Sequence, residues 1–414
     1  MKIIASIPSF KEFEIEAPDN IKISELKERL CRRIGIESDL TKLILNGNVL
    51  EESKKVSNYS SDSIKIEIDY IWSRQLLMWG LKGQNRIRNS TVFIAGAGAL
   101  GNEVTKNLAM LGIKRLIIID NDYVELSNIN RMIFFDREDV GRSKAIVLAE
   151  KINRRFPYVE VWASEQTLED IPTMYYLKSN LIISCLDNML SRIFLTSVSK
   201  KYDIPIIDGG ISGYHARVQT YIPSDSSCPI CPFSIGRYGE FIGLRNPCDA
   251  PLEEIKIPSF PTTISLASSI QTQEAIKLLM GYEHFKNKKE WPKKFGEPLN
   301  GMWLADLSYN KYSIIKIEKN KDCIVCGKNG IGKDPIKIVN LSFNKLKDSN
   351  KLIKEVEKLT GEKLDEIILI NHKGKLRKII KNIKLKYYNI REGDYLQAIL
   401  KSGDDYKEII LRII

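Results

Sequence analysis

The stretch TVFIAGAGALGNEVTKNLAMLG, residues 91–112, decides the fold of the largest part of this chain. Its apolar start predicts a buried strand, and the pattern Gly96-x-Gly98-x-x-Gly101 follows this strand and opens a helix. Such a turn brings phosphate groups to backbone N–H groups at a helix N-terminus. Asp120 ends the next predicted strand, where a carboxylate can hold the hydroxyl pair of a ribose. The stretch predicts a nucleotide site, and the glycine pattern fits NAD and ATP equally.

Strand and helix patterns alternate around this stretch. The order is strand STVFIAGAG, helix ALGNEVTKNLAMLG, strand RLIIID, helix GRSKAIVLAEKINRRFP, and strands EVWASEQ and LIISCLD. This alternation is typical of an α/β fold in which helices cover both faces of a mainly parallel sheet. We therefore predict a Rossmann-like, doubly wound domain over residues 71–332.

Polar residues beyond the glycine turn discriminate between the two nucleotides. The segment DNDYVELSNINRMIFFDREDVGRSKA supplies Asp122, Asn128, Arg131 and Lys144. A nicotinamide site needs a flat apolar slot with little positive charge. Attack of a carboxylate on an α-phosphate instead builds charge on phosphoryl oxygens, which fixed cations stabilise. The segment therefore favours ATP.

Two flanking motifs add to this interpretation. In SCLDNMLSR, Asp187 follows a predicted strand as a lone carboxylate that can hold Mg²⁺ against phosphates. In WSRQLLMWG, Arg74 is placed to reach a nucleotide as an arginine finger does. Both features fit adenylation.

Together these motifs resemble the ThiF/MoeB/ubiquitin-activating (E1-like) superfamily, which adenylates the C-terminal glycine of ubiquitin-like proteins. The matching runs are SRQL, GAGALGNE, IIDNDYVELSNINR, GRSKA and CLDNMLSR, in the family's order and spacing. The resemblance implies ribose binding by Asp120, Mg²⁺ binding by Asp187 and assistance from Arg74, within one subunit or from a second. It places the remaining ATP contacts on Gly96, Gly98, Gly101, Asp122, Asn128, Arg131, Lys144 and Asn188. Family members with one adenylation domain per chain usually pair with themselves, so we expect a homodimer.

Two C-x-x-C pairs, Cys228/Cys231 and Cys323/Cys326, predict a metal site. One such pair can be redox-active, but two in one chain favour metal. Four thiolates suit a closed, tetrahedral and therefore structural Zn²⁺ site. The superfamily resemblance supports this, since its members carry both pairs, before and after a crossover segment.

The three other cysteines differ in their surroundings. Cys31 on a predicted helix and Cys185 at the end of an apolar strand are expected to be buried. Cys248 lies in the proline-rich run GLRNPCDAPLEEIKIPSFPTT, which disfavours helix and sheet and leaves the thiol exposed. Nearby Arg245 can help to stabilise a thiolate.

The resemblance gives Cys248 a role. Ubiquitin-activating enzymes place their thioester cysteine in this crossover loop, and the enzyme that activates the modifier UFM has a similar C-x-x-S-L-P-T-T run. Here an insertion within DAPLEEIKIP separates Cys248 from SFPTT. The implied role is nucleophilic: Cys248 displaces AMP from the acyl-adenylate and conserves its energy as a thioester.

Both ends of the chain have β-grasp patterns. Residues 1–70 read as β-β-α-β-β, with Ile23, Leu26, Leu30 and Ile34 on one helix face, and LILNGNVLEESKKVSNYSSDSIKIEI resembles the second half of ubiquitin. This segment lacks a Gly-Gly tail and runs directly into DYIWSRQLL, so we interpret it as a built-in accessory domain. Residues 333–414 are similar to the ubiquitin-fold domain that captures the conjugating enzyme, through NKLIKEVEKLTG, NIREGDYLQAIL and KEIILRII. In the family that domain tends to be acidic, and the basic cluster from Lys373 to Lys386 departs from this.

Composition limits the partners and the compartment. No apolar run approaches the roughly 20 residues that span a bilayer, and the start lacks a signal-peptide pattern. Seven cysteines do not suggest a disulfide framework, so we expect a cytoplasmic protein. The net charge of +11 comes largely from residues 333–414, which hold 19 Lys and Arg against 12 Asp and Glu. No aromatic residue interrupts HKGKLRKIIKNIKLK, so we interpret it as a solvated surface and expect no nucleic-acid partner.

The predicted function is ATP-dependent activation of a ubiquitin-like modifier, followed by thioester formation on Cys248 and transfer to a conjugating enzyme. A sulfur-carrier adenylyltransferase of the ThiF/MoeB kind, which stops at the acyl-adenylate, is the alternative within the superfamily. A non-catalytic scaffold with two ubiquitin-like ends and an NAD-dependent dehydrogenase are the alternatives outside it.

Overall fold

The structure is a computed structural model that describes residues 1–59, 63–223, 225–233, 258–333, 337–343, 346, 348–371, 374–402 and 405–414. The chain folds as two units, residues 1–88 and residues 89–414. Among the described helices, none is long and apolar enough to cross a membrane.

The first unit contains a five-stranded sheet and a packed helix. Its elements are β1 (Lys2–Ile7), β2 (Lys11–Glu16), α1 (Ile23–Ile34), β3 (Thr41–Leu45), β4 (Asn48–Val49) and β5 (Ser63–Tyr70). The strand order is β2-β1-β5-β3-β4, and β1 and β5 pair in parallel at its centre. The predicted apolar face of α1 is confirmed, because Ile23, Leu26, Leu30 and Ile34 are buried. Cys31 belongs to the same core, as predicted.

Helix α2 (Ser73–Arg88), which is kinked at Gly80, extends the first unit beyond the domain boundary that we predict at residue 70. Trp72 is buried against the edge of Tyr70, with the two ring centres 5.6 Å apart. At the other end of α2, the Arg88 guanidinium lies over the Trp72 ring and donates to Glu37 at 2.8 Å. Tyr70 Oη donates to the same carboxylate at 3.0 Å. These contacts attach both ends of α2 to the rest of the first unit.

The second unit is built on an eight-stranded sheet. Its elements are β6 (Thr91–Ala95), α3 (Ala99–Leu111), β7 (Arg115–Ile119), α4 (Lys144–Arg155), β8 (Glu160–Ser164), α5 (Met174–Leu177), β9 (Leu181–Ser184), α6 (Met189–Tyr202), β10 (Ile206–Ser212), β11 (His215–Tyr221), α7 (Pro261–Lys288), β12 (Met302–Asp306) and β13 (Lys311–Ile315). Helices α3 and α7 contact each other, and α6 packs its Leu195 and Val198 into a core with Phe93 and Ile182 of the sheet. The predicted α/β domain is confirmed.

The strand order is β13-β12-β11-β10-β9-β6-β7-β8. Strands β8, β7, β6, β9 and β10 are parallel, and β11, β12 and β13 continue the sheet in antiparallel pairs that the sequence pattern did not reveal. The chain leaves β6 toward β7 on one side and returns to β9 on the other. In open sheets of this kind, ligands bind outside the carboxyl ends of the strands at such a switch point.

The C-terminal part of the second unit has a sheet of its own. Its elements are β14 (Ile338–Leu341), α8 (Ser349–Thr360), β15 (Lys363–Ile370), β16 (Leu376–Lys378), β17 (Tyr395–Ser402) and β18 (Asp405–Ile413), in the order β14-β18-β17-β15-β16. Its first and last strands pair in parallel, as in the first unit. It differs in two ways: β17 lies between β18 and β15, and within the described residues no strand pairs with the outer side of β14, which is therefore an edge strand.

A tyrosine contact recurs in both small sheets. In the first unit, Glu51 N donates to Tyr59 Oη at 3.2 Å. In the C-terminal sheet, Ile380 N donates to Tyr388 Oη at 2.7 Å. Both tyrosines lie eight residues after their donor. In each sheet the hydrogen bond closes the loop between two strands: β4 and β5 in the first unit, and β16 and β17 in the C-terminal sheet. This supports the predicted β-grasp character of both ends.

Both faces of the C-terminal sheet are covered. Leu352 and Val356 of α8 lie in the core on one face. On the other face, Ile370 and Ile410 share a core with Trp162 of β8 and Tyr175 of α5. Tyr175 Oη also donates to Gly374 O at 2.6 Å. The C-terminal sheet is therefore packed against the large sheet rather than tethered to it.

Candidate functional site

The glycine turn lies at the carboxyl end of β6. Gly96 has a φ of +94°, and a Cβ there would lie 2.7 Å from the carbonyl oxygen of Cys185. A Cβ on Gly101 would lie 2.0 Å from the carbonyl oxygen of Gly96, so larger residues would force this turn open. Gly98 is the N-cap of α3 and caps it without a side chain. The backbone that leads into α3 is thus tightly folded and carries few side chains, so a phosphate group can come close to the helix N-terminus.

Asp120 closes the other side of this turn. One oxygen of its carboxylate accepts from Ala97 N at 2.5 Å, and the other accepts from Asp122 N at 2.8 Å. Burial raises the pKa of Asp120 to about 6, although nearby Lys144 and the two backbone donors oppose the shift. The carboxylate is therefore mostly ionised at neutral pH and is fixed in one orientation.

Lys144 lies beside Asp120, at the start of α4. Its backbone N–H donates to Asp122 O at 2.9 Å, and its Nζ donates to the Asp122 carboxylate at 2.8 Å. The Lys144 side chain is 12% exposed, whereas that of Asp122 is 59% exposed. A largely buried cation thus lies at the same end of the sheet as the glycine turn.

Asn128 and Arg131 lie in the loop between β7 and α4. Asn128 is buried, and its Oδ1 accepts from Glu125 N at 2.9 Å. The Arg131 guanidinium donates to the carbonyl oxygen of Ser127 and to Asn130 Oδ1. Both side chains therefore bond within their own loop, and their contact with phosphate stays a prediction.

Asp187 is exposed just after β9. Its strand is joined to β6, since Cys185 N donates to Ala95 O at 2.8 Å. Asn188 Oδ1 accepts from Ser191 N at 2.8 Å and so caps α6. Because β6 and β9 are parallel neighbours, the structure brings Asp187 to the same sheet edge as the glycine turn.

A buried ionic cluster supports this loop, and the sequence analysis missed it. Arg192 donates to the Asp208 carboxylate, to the carbonyl oxygen of Leu186 and, at 2.9 Å, to that of Gly209. Asp208 also accepts from Ser184 Oγ at 2.7 Å and from Arg217 at 2.8 Å. Asp208 and Arg192 are both buried. The sequence signal for this cluster is the charged Asp208 directly after an apolar run, in IIDGG (residues 206–210).

Two other cysteines and one arginine belong to the sequence motifs, namely Cys185, Cys248 and Arg74. Cys185 is half-buried at the end of β9 rather than fully buried as predicted, and burial raises the pKa of its thiol to about 12, which keeps the thiol protonated. Arg74 is exposed on α2 in the first unit, so its finger role stays a prediction. Cys248, like Arg245, lies outside the described residues.

The four C-x-x-C cysteines converge. Cys228 and Cys323 Sγ atoms are 3.6 Å apart, Cys228 and Cys231 are 3.7 Å apart, and Cys231 and Cys326 are 3.4 Å apart. All four sulfur atoms lie within 4.8 Å of one another. The predicted pairing of the two motifs is therefore present, and the group can hold a metal ion.

Comparison with known proteins agrees with this architecture. The ThiF family profile matches residues 72–325, and the Ubiquitin family profile matches residues 6–66. The NEDD8-activating enzyme E1 catalytic subunit of Saccharomyces cerevisiae is 40% identical over 149 residues, which are 34% of this chain and 50% of that protein. The SAMP-activating enzyme E1 of Haloferax volcanii is 29% identical over 270 residues, which are 63% of this chain and 89% of that protein.

A solved structure gives the same fold. The crystal structure of E. coli MccB with succinimide has a TM-score of 0.50 and 22% identity, covering 66% of this chain and 76% of that chain. This chain spans half or less of the NEDD8-activating relatives it matches. The ThiF match, however, covers well over half of the present chain. The chain therefore belongs to the ThiF family and carries a ubiquitin-like domain ahead of its ThiF domain.

Proposed function

We propose that this chain activates a ubiquitin-like modifier. It adenylates the modifier's C-terminal carboxylate with ATP, captures the acyl group as a thioester on Cys248 and passes it to a conjugating enzyme. The observation that carries this proposal is the meeting of the glycine turn, Asp120, Lys144 and Asp187 at the carboxyl ends of β6, β7 and β9. The relatives named as E1 enzymes support the choice of substrate class.

The first step needs positioning and positive charge. A carboxylate oxygen of the modifier attacks the α-phosphorus of ATP, the bond to the β-phosphate oxygen breaks, and diphosphate leaves. Asp120 binds the ribose hydroxyls with a carboxylate that two backbone donors hold in place. Lys144 stabilises the developing phosphoryl charge, because its ammonium is already fixed and largely shielded from water. Arg131 and Arg74 add cationic donors once nucleotide is bound.

Magnesium fits the donor set on this edge. Asp187 offers an exposed carboxylate beside the phosphate site, and Mg²⁺ is usually held by one or two carboxylates together with substrate phosphates. When bound, the ion neutralises charge on the phosphates and on the leaving diphosphate.

Zinc fits the cysteine cluster. A tetrahedral ion with Zn–S bonds of about 2.3 Å requires sulfur atoms about 3.8 Å apart, and three of the pairs here are separated by 3.4–3.7 Å. Four thiolate ligands leave no position for substrate, so the role is structural. The ion would join residues 228–231 to residues 323–326.

The second step uses Cys248. Its thiolate attacks the carbonyl carbon of the acyl-adenylate, the bond to AMP breaks, and a thioester forms. The thiol of a conjugating enzyme then takes the acyl group by exchange, and we assign its docking to residues 333–414. We further propose a homodimer in the cytoplasm, where a reducing environment keeps metal-binding thiolates intact.

ATP–diphosphate exchange tests the proposal. The chain is incubated with candidate ubiquitin-like proteins from the same genome, and non-reducing gels follow the exchange assay. We expect exchange with at least one candidate and a thiol-sensitive adduct of this chain. Exchange without any adduct would favour the alternative, a sulfur-carrier adenylyltransferase, and the absence of exchange with every candidate would refute adenylation. A dehydrogenase would be stabilised against heating by NAD rather than by ATP.

A further inference from the structure

The C-terminal sheet leaves one strongly basic margin exposed, which we call the basic edge and define as residues 375–387. Between Lys375 and Lys386 the sequence has six lysine or arginine residues and no acidic one. Strand β16 lies in this segment, and all three of its residues are exposed. Within the described residues, β16 pairs only with β15 and forms one margin of the sheet.

Apolar side chains are mixed with these cations. Leu376 is 44% exposed, Ile380 is 61% exposed and Tyr387 is 63% exposed. The segment is folded into one surface, because Arg377 donates to Tyr387 O at 3.2 Å and Ile380 N donates to Tyr388 Oη. Lys386 lies over the Tyr387 ring. Exposed apolar patches rimmed by polar residues mark binding surfaces.

The rest of the C-terminal sheet is less suited to a partner. Helix α8 covers one face, and Trp162 and Tyr175 lie against the other. The opposite margin, β14, follows Lys337 and has no other charged residue between Ile338 and Phe343. The basic edge therefore combines an open strand margin, apolar contacts and a strong charge in one place.

We propose that the basic edge binds an acidic peptide segment with interspersed apolar residues, contributed by the protein that accepts the modifier. This rests on the proposed transfer function. Charge complementarity selects an acidic partner. The exposed leucine and isoleucine favour a peptide over a nucleic acid, since aliphatic side chains give little to a phosphate backbone and do not stack on bases. The unpaired margin of β16 also allows main-chain pairing with an extended peptide.

Two charge-reversed variants of the full-length chain test the proposal. The first is Lys381→Glu with Lys384→Glu, both exposed on the basic edge. The matched control is Lys354→Glu with Lys358→Glu, both exposed on α8, which changes the net charge equally. The probe is a fluorescent peptide of alternating glutamate and leucine, titrated by anisotropy at two salt concentrations. Uridine homopolymer is titrated in parallel, and ATP–diphosphate exchange is measured on each preparation.

We expect wild type to bind the peptide with an affinity that falls as salt rises. The basic-edge variant should bind roughly tenfold more weakly, the α8 variant should bind as wild type does, and both should keep exchange activity. Equal binding by the two variants, or tighter binding of the uridine polymer than of the peptide, would overturn the proposal. If the first variant does not fold, Lys381→Gln with Lys384→Gln replaces it. Loss of exchange in wild type with selective peptide binding intact would count against adenylation and leave the acidic-peptide surface standing.

Discussion

Arg192 and Asp208 form a buried ion pair whose second function is to hold the main chain before Asp187. One guanidinium nitrogen of Arg192 donates to Asp208, and the other donates to the carbonyl oxygen of Leu186. Both side chains are buried, whereas Asp187 is exposed. The pair therefore acts on Asp187 through the backbone.

Replacing Arg192 with Lys should weaken the use of magnesium more than it weakens the fold. A lysine keeps a cation for Asp208 but cannot also donate to Leu186 O and Gly209 O. We expect the Mg²⁺ concentration needed for half-maximal diphosphate exchange to rise roughly tenfold, as is common for groups that orient a metal ligand. Arg217→Lys is the matched control, because Arg217 donates to the same Asp208 carboxylate at 2.8 Å, whereas the bond to Leu186 O comes from Arg192. Equal Mg²⁺ requirements in the two variants would remove the positioning role.

Lys144 should contribute mainly to the adenylation step. Lys144→Met removes a fixed cation from the phosphate site, so we expect exchange to slow by about 10²- to 10³-fold. The fold should persist, since the partner carboxylate of Asp122 is solvent-exposed. Lys114→Met, at an exposed lysine before β7, is the control and should exchange at the wild-type rate. A Lys144 variant with unchanged exchange would show that the ammonium is only structural.

The protonation of Asp120 should make the affinity for ATP depend on pH. Its carboxylate has a pKa of about 6 in the folded chain, and protonation removes an acceptor for the ribose hydroxyls. ATP affinity, measured by calorimetry between pH 5 and 8, should fall as the pH drops through 6. Asp120→Asn should bind ATP more weakly and without this transition. A transition that persists in the variant would belong to another group.

Asp120 also affects the free energy of unfolding, and this effect changes with pH in the direction opposite to its effect on ATP binding. Its folded-state pKa lies above the reference value of 3.8, so the folded chain binds this proton more tightly than the unfolded chain does. The stability that this provides is present below pH 3.8 and is lost as the pH rises through about 6. The asparagine variant should lack this component of the stability profile of the nucleotide-free chain.

Zinc should be a structural part of the chain. Elemental analysis should find about one zinc per chain, and a chelator should lower the melting temperature. The reason is that Cys228, Cys231 and Cys323 lie in the same core as Tyr221 and Val325, where four unmetallated thiols would crowd together. Cys323→Ser should lose the metal, whereas Cys31→Ala should retain it. A fully stable, metal-free protein would contradict the assignment.

Cys248 should be needed for the adduct and not for adenylation. Cys248→Ala should still catalyse ATP–diphosphate exchange with the modifier, but non-reducing gels should show no thiol-sensitive species. Cys185→Ala is the control, because burial holds the Cys185 thiol protonated with a pKa of about 12. An adduct that survives in the Cys248 variant would assign the thioester to another residue.

Much of the architecture was readable from local sequence. The apolar run at residues 91–95, its glycine turn and the position of Asp120 are set by neighbouring residues, because strand, turn and helix propensities act over short distances. The face of α1 and the two C-x-x-C pairs are readable for the same reason. Spacing alone indicated that the four cysteines belong together, and the sulfur distances agree.

Other features depend on residues that are distant in sequence. Arg192 and Asp208 are separated by 16 residues and Tyr175 and Gly374 by 199, and neither pairing has a local signature. The attachment of α2 to the first unit and the antiparallel extension from β11 to β13 are also decided by packing partners. The sequence by itself determined the nucleotide turn and the two C-x-x-C pairs, since each needs only a short run of fixed residue types. The tertiary structure decided which buried charges support Asp187 and which margin of the C-terminal sheet stays exposed, because burial is a property of the whole fold.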